Sequence, residues 1–164
     1  MKKSAATSAL IVLAVINTVS CAGDIAHFSY DPPEGWEVQD RPDMGMNYRV
    51  WMTTPTDGFA PNITIVEADF AGSNEEFVRI NTPNMTKALP PLDGISRQEF
   101  VSDSELKAIK LTWTTEVFSK FLSQSVFVFE KGNRKFVVTA TTLEKDADAL
   151  GPIIEKSMKT ATIN

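Results

Sequence analysis

Between residues 95 and 143 the chain offers four stretches of strand character with almost nothing between them: 95–101, 106–117, 121–130 and 135–143. Parallel neighbours need a crossover of a dozen or more residues, and these connections are only a few residues long. The four stretches are therefore expected to pair as an antiparallel meander. Lys131-Gly132-Asn133-Arg134 joins the last two, and its Gly-Asn centre suits a two-residue hairpin turn. Ile109, Leu111 and Trp113 alternate along the second stretch and share one face.

The remainder fits around that meander. Upstream, residues 25–30, 36–39, 46–54 and 62–70 read as strands, separated by turn-rich segments at 31–35 and 55–58. In the third of these, Met46, Tyr48, Val50 and Met52 fall on one face. The period then changes. Ser73-Asn74-Glu75-Glu76 is a capping box, and Phe77, Ile80, Met85 and Leu89 supply a helical face before Pro90-Pro91. Pro83 predicts a kink or a break in that helix. Residues 146–158 form a closing helix with Leu150, Ile154 and Met158 spaced at four; Pro152 is compatible only with its first turn or a kink. The order β-β-β-β-α-β-β-β-β-α predicts an α+β fold, a central antiparallel β-sheet flanked by helices.

The amino terminus belongs to another category. Lys2 and Lys3 precede an almost uncharged stretch with a fully apolar centre at 10–16, the build of a secretory signal peptide. Asn17 and Thr18 interrupt it short of the roughly 20 residues a spanning helix needs. The one cysteine of the chain, Cys21, follows immediately, so no internal disulfide is available and stability must come from the core. Thr18-Val19-Ser20-Cys21 resembles a bacterial lipobox, with Thr18 where that motif prefers an aliphatic residue. The resemblance implies cleavage before Cys21, lipid on its thiol and acylation of the new amino terminus. Cleavage after Ala22 competes, because Ser20-Cys21-Ala22 also fits a small-x-small site. The expected organisation is a lipoprotein signal peptide at 1–20, a lipidated tether at 21–24 and a single domain at 25–164. The three residues after Cys21 would span roughly 10 Å.

A second resemblance covers the body of the chain. Phe28-Ser-Tyr-Asp-Pro-Pro-Glu-Gly-Trp36 resembles the opening of the PsbP-like superfamily, which includes DcrB-like and Mog-type proteins. The segment from Leu150 to Ser157 resembles that family's last helix. The resemblance implies a PsbP-like α/β/α sandwich. Function varies across such families, from photosystem subunits to Ran-binding proteins and lipoproteins, so the fold alone does not specify it.

Residue types narrow the function. The chain carries a formal net charge of −5, and loss of Lys2 and Lys3 with the signal peptide would make it −7. Without a clustered basic stretch, such a domain is not expected to bind nucleic acid. His27 is the only histidine, and nothing in the pattern supplies it with a partner for acid–base or triad chemistry. The acidic residues Glu75, Glu76, Asp146 and Asp148 sit where helix N-termini welcome negative charge. Met44, Met46 and Met52 offer soft ligands for Cu(I), but core packing is the stronger reading. No enzyme and no cofactor are expected. Trp51 lies out of phase with Val50 and Met52, which makes it a possible partner contact if it is exposed. The leading expectation is a non-enzymatic envelope protein, anchored through lipid on Cys21 and binding an unspecified protein. It would face the periplasm or the cell exterior, with the outer membrane favoured where there is one. The alternative is a carrier of a small apolar ligand, with a cavity lined by residues such as Phe127, Phe129 and Trp113.

Overall fold

Long alternating runs dominate the observed architecture. The computed structural model describes residues 28–40, 49–52 and 54–164. Of the strand expected at 25–30, residues 25–27 lie outside the described residues and the rest begins with β1, Phe28–Ser29, followed by β2 (Glu37–Asp40), β3 (Arg49–Met52) and β4 (Asn62–Asp69). Then come α1 (Asn74–Ala88), β5 (Ser96–Val101), β6 (Lys107–Val117), β7 (Lys120–Lys131) and β8 (Arg134–Leu143). A 3₁₀ turn leads into α2 (Ala147–Lys159), and a two-residue strand, β9 (Thr162–Ile163), ends the chain. The order agrees with the expected one except for β9. Two residues are too few to carry a period.

Strands β2 to β8 form one antiparallel sheet in the spatial order β2-β3-β4-β8-β7-β6-β5. The meander is continuous through β5, β6, β7 and β8, as the short connections require. The β7–β8 turn has Lys131 opposite Arg134 and a positive φ at Gly132 but not at Asn133, the II′ pattern.

Both faces of this sheet are covered, which explains why Val126, Phe127, Val128 and Phe129 are buried in succession. Helix α1 packs on one face, where Phe77, Val78, Met85 and Leu89 meet Val66, Ile109, Leu111, Trp113, Val126 and Val128. On the other face, α2 and the β1–β9 pair bring Ile154, Met158, Phe28 and Ile163 against Ile65, Phe127, Phe129, Phe136 and Val138. Each fully buried phenylalanine contributes about 1.5–3 kcal/mol.

Neither helix breaks at its proline. At Pro83 and Pro152 the missing N–H would have bonded the carbonyls of Arg79 and Asp148, and all four residues are exposed, so water can satisfy those groups. Asn81, Thr82 and Thr86 also donate from their side chains to carbonyls four residues back in α1. Pro152 lies in the second turn of α2, beyond the first turn that the sequence reading allowed. At the start of α1, Ser73 accepts from the amide of Glu76 at 3.2 Å, and the Glu76 carboxylate lies 4.0 Å from the Arg79 guanidinium. Only the serine half of the box is formed.

The two ends of the chain are tied together. Phe28 pairs with Ile163, Ser29 bonds Thr162 at 2.8 Å, and the Asp31 amide donates to the Thr160 hydroxyl at 2.8 Å. The Phe28 ring stands 5.2 Å from Phe129 and 5.5 Å from Phe136. Lys131 donates to the Ile163 carbonyl at 2.5 Å. The described chain thus begins at the end of the sheet that carries the β7–β8 turn.

Candidate functional site: an aromatic hairpin tip

The opposite end of the sheet is built differently. Strands β6 and β7 are joined by Phe118 and Ser119 alone, with Val117 opposite Lys120. Both turn residues have positive φ, 49° and 60°, which is the I′ pattern that matches strand twist. Such turns select Asn-Gly. An L-residue in this region costs roughly 1–2 kcal/mol, and for a bulky one it is a genuine outlier. The Phe118 side chain is 82% exposed, so burial does not offset that cost. Phe121, three residues on, is 48% exposed.

The support beneath this tip is well packed. Leu122, Leu143 and Phe59 form a small buried cluster against which Val117 packs. A second tight turn lies alongside. Thr56 and Phe59 exchange backbone bonds at 2.7 and 2.9 Å around Asp57 and Gly58, both at positive φ. Lys120 donates to the Asp57 carbonyl at 2.7 Å, and Lys145 pairs with the Asp57 carboxylate. The hydrogen bond from Lys145, reinforced by its charge, holds the Asp57 carboxyl below the ordinary carboxylate range. The same bond raises the Lys145 ammonium. The result is an exposed aromatic in a left-handed backbone conformation on a clasped turn, a candidate contact for a partner.

The sequence-predicted residues are distributed as follows. Cys21, His27, Met44 and Met46 lie outside the described residues. The register places Trp51 between Val38 of β2 and Ile63 of β4, and its side chain lies outside what is described. Glu75 pairs with Arg97 of β5. Asp146 occupies the N-cap position of α2 without a side-chain capping bond, and Asp148 sits in the first turn. Among the described residues no group of three His, Cys, Asp or Glu is placed to hold a metal, and no helix is long and apolar enough to cross a membrane.

The carrier alternative needs correction in its residues. Phe127 and Phe129 belong to the α2 face of the sheet and Trp113 to the α1 face, so the three cannot line one cavity. Phe100 packs edge-on against both phenylalanines at 5.0 and 6.0 Å, and Trp113 donates to the Leu89 carbonyl at 3.1 Å. All three are core residues. Phe118 was missed by the sequence reading because attention to alternating runs passes over the residues between them. The available signal was Phe118-Ser119-Lys120, a short gap between strands without the Gly or Asn that turn chemistry favours.

No family model matches the sequence, and no curated protein does. Solved structures do resemble it. LpqN of Mycobacterium tuberculosis, described as involved in cell envelope biogenesis, superposes with a TM-score of 0.62 at 15% identity, covering 85% of this chain and 84% of LpqN. PA94 of Pseudomonas aeruginosa, a protein of unknown function, gives 0.55 at 16% identity over 82% of this chain and 95% of PA94. The cyanobacterial PsbP protein CyanoP of Synechocystis sp. PCC 6803 gives 0.54 at 13% identity, with 89% and 98% covered. The chain therefore has a PsbP-like fold, an antiparallel sheet with two helices, as expected. At these identities the likeness concerns the fold.

Proposed function

We propose that this chain is a non-enzymatic protein of the cell envelope, anchored by lipid on Cys21, that uses the Phe118 hairpin to bind another protein. The observation that carries the reading is an exposed phenylalanine held in a left-handed backbone conformation on a clasped turn. Structural kinship with LpqN, a protein of cell envelope biogenesis, supports the setting. The lipobox-like stretch ending at Cys21 supports the anchor.

Geometry favours a protein over the bilayer as the partner of the tip. Strand β7 is 12 residues long and spans roughly 36 Å, with Phe118 beyond one end and Phe28 against the other. The seven residues from Cys21 to Phe28 reach at most about 25 Å. With the domain upright on such an anchor, the tip would lie away from the membrane.

The test is affinity capture from intact envelopes, comparing the full chain with Phe118→Asn. A specific partner should be recovered with the native chain and lost with the variant. Recovery of no partner, or equal recovery by both, would refute the binding role. Cys21→Ser should move the protein from the membrane to the soluble fraction; unchanged membrane association would remove the anchor while leaving the tip's role open to the capture result.

A further inference from the structure

Among the described residues the sheet has two edges, β2 and β5, and they differ in their capacity to pair with themselves. Strand β5 is six residues long, with Ser96, Arg97, Gln98, Glu99 and Val101 exposed and Phe100 buried. Such an edge presents unpaired backbone groups to any second strand. Natural edges are commonly guarded by charge, and charge guards an edge when like residues meet.

On β5 they do not. If two copies met antiparallel about a two-fold axis at Gln98, Arg97 of each would face Glu99 of the other, giving two opposite-charge pairs. Ser96 would face Phe100, and Ile95 would face Val101. Arg97 and Glu99 pair in register with Leu111 and Ile109 of β6, so both belong to the α1 face, where Arg97 already meets Glu75. A guanidinium has five donors and serves two carboxylates.

The length of the ladder is also set. Lys159 donates to the Val101 carbonyl at 2.5 Å and lies 4.7 Å over the Phe100 ring, capping the edge at that point. The pairing segment is thus centred on Gln98. Strand β2 offers the contrast. It has four residues, and the same operation would oppose the acidic residues Glu37 and Asp40.

We propose that two copies of this chain associate through β5, antiparallel and centred on Gln98, to make one continuous sheet across a two-fold dimer. This stands apart from the role assigned to the Phe118 tip.

The experiment uses the full chain extracted in mild detergent and measures its mass by analytical ultracentrifugation, with thermal melts to confirm folding. The native chain should dimerise with rising concentration. Glu99→Arg sets Arg97 against arginine twice and should weaken association about thirtyfold. The swap R97E/E99R, made together with Glu75→Gln so that residue 97 meets no like charge within its own chain, recreates both opposite-charge pairs and should restore it. Under oxidising conditions Gln98→Cys should cross-link to a dimer, whereas Val38→Cys on the other edge should not. A native chain that stays monomeric, an E99R variant as dimeric as native, a swap that does not recover, or equal cross-linking at both edges would overturn the proposal.

Discussion

Removing Glu130 should destabilise this protein far more than removing Lys135, although the two are partners. The Lys135 side chain is 0% exposed, whereas that of Glu130 is 36% exposed. The acceptors at the Lys135 ammonium are the Glu130 carboxylate at 3.0 Å and the Gly132 carbonyl at 3.4 Å. Glu130→Ala leaves a fully buried cation on one long bond, at a cost of about 3 kcal/mol. The same carboxylate oxygen accepts from the backbone amide of Asn74 at 3.0 Å, the first residue of α1, and that loss adds about 1 kcal/mol. Lys135→Met removes the charge itself and fills similar volume. Glu130 then keeps the Asn74 amide and partial hydration, so the change should cost about 1 kcal/mol or less. The expected totals are roughly 4 and 1 kcal/mol, against a stability of about 5–15 kcal/mol for a domain. Thermal unfolding followed by circular dichroism should show a drop of about 10 °C for Glu130→Ala and a few degrees for Lys135→Met. The double variant should recover most of the loss, because the buried charge has gone. Equal losses for the two single variants, or a larger one for Lys135→Met, would refute the argument from burial.

Three further outcomes follow from named contacts. Replacing Phe118-Ser119 by Asn-Gly should raise stability by about 1–2 kcal/mol in chemical denaturation while abolishing partner capture, a stability gain at functional cost. Gly72→Ala should cost about 1–3 kcal/mol on the same measurement, because the added Cβ would come within 2.5 Å of the Phe70 ring and of the Glu76 carboxylate. The Phe70 ring cannot yield freely, being edge-on to the buried Phe77 at 5.3 Å. The clasp between Asp57 and Lys145 should be intact from the ordinary carboxylate range up to the ordinary lysine range. Asp57 is lowered, so its contribution is lost as pH falls through its folded value; Lys145 is raised, so its contribution is lost as pH rises through its own. The protection factor at residues 56–59, with the intrinsic exchange rate divided out at each pH, should fall at both extremes, and Asp57→Asn should flatten that profile; an unchanged profile would dismiss the clasp.

Alternation and connection length make the meander legible in the sequence, because connections of a few residues leave antiparallel pairing as the only geometry. The same signal failed on faces. In β7 the run Val126-Phe127-Val128-Phe129 is apolar throughout, so period alone cannot say which residues meet α1 and which meet α2. That is why Trp113 was grouped with Phe127 and Phe129 when the sheet separates them. The burial of Lys135 is not legible in the same way: the hairpin turn sets Glu130 opposite it, but only the folded arrangement brings the first turn of α1 to the same carboxylate. Helix starts fared better. Ser73 caps through an atom three residues away in sequence, so its chemistry is local and readable.

The tip and the edge show where a single chain stops dictating its own residues. Most positions here are explained by what they touch inside the domain. Phe118 is not: the turn would be more stable with asparagine, and the side chain gains no core contact in return. The sequence reading passed over Phe118 because it judged residues by their fit to the fold. A residue that opposes its local backbone preference and remains exposed is best explained by something outside the chain. Arg97 and Glu99 are milder cases, since either charge alone would guard an edge, but their opposite signs two residues apart create an edge complementary to itself.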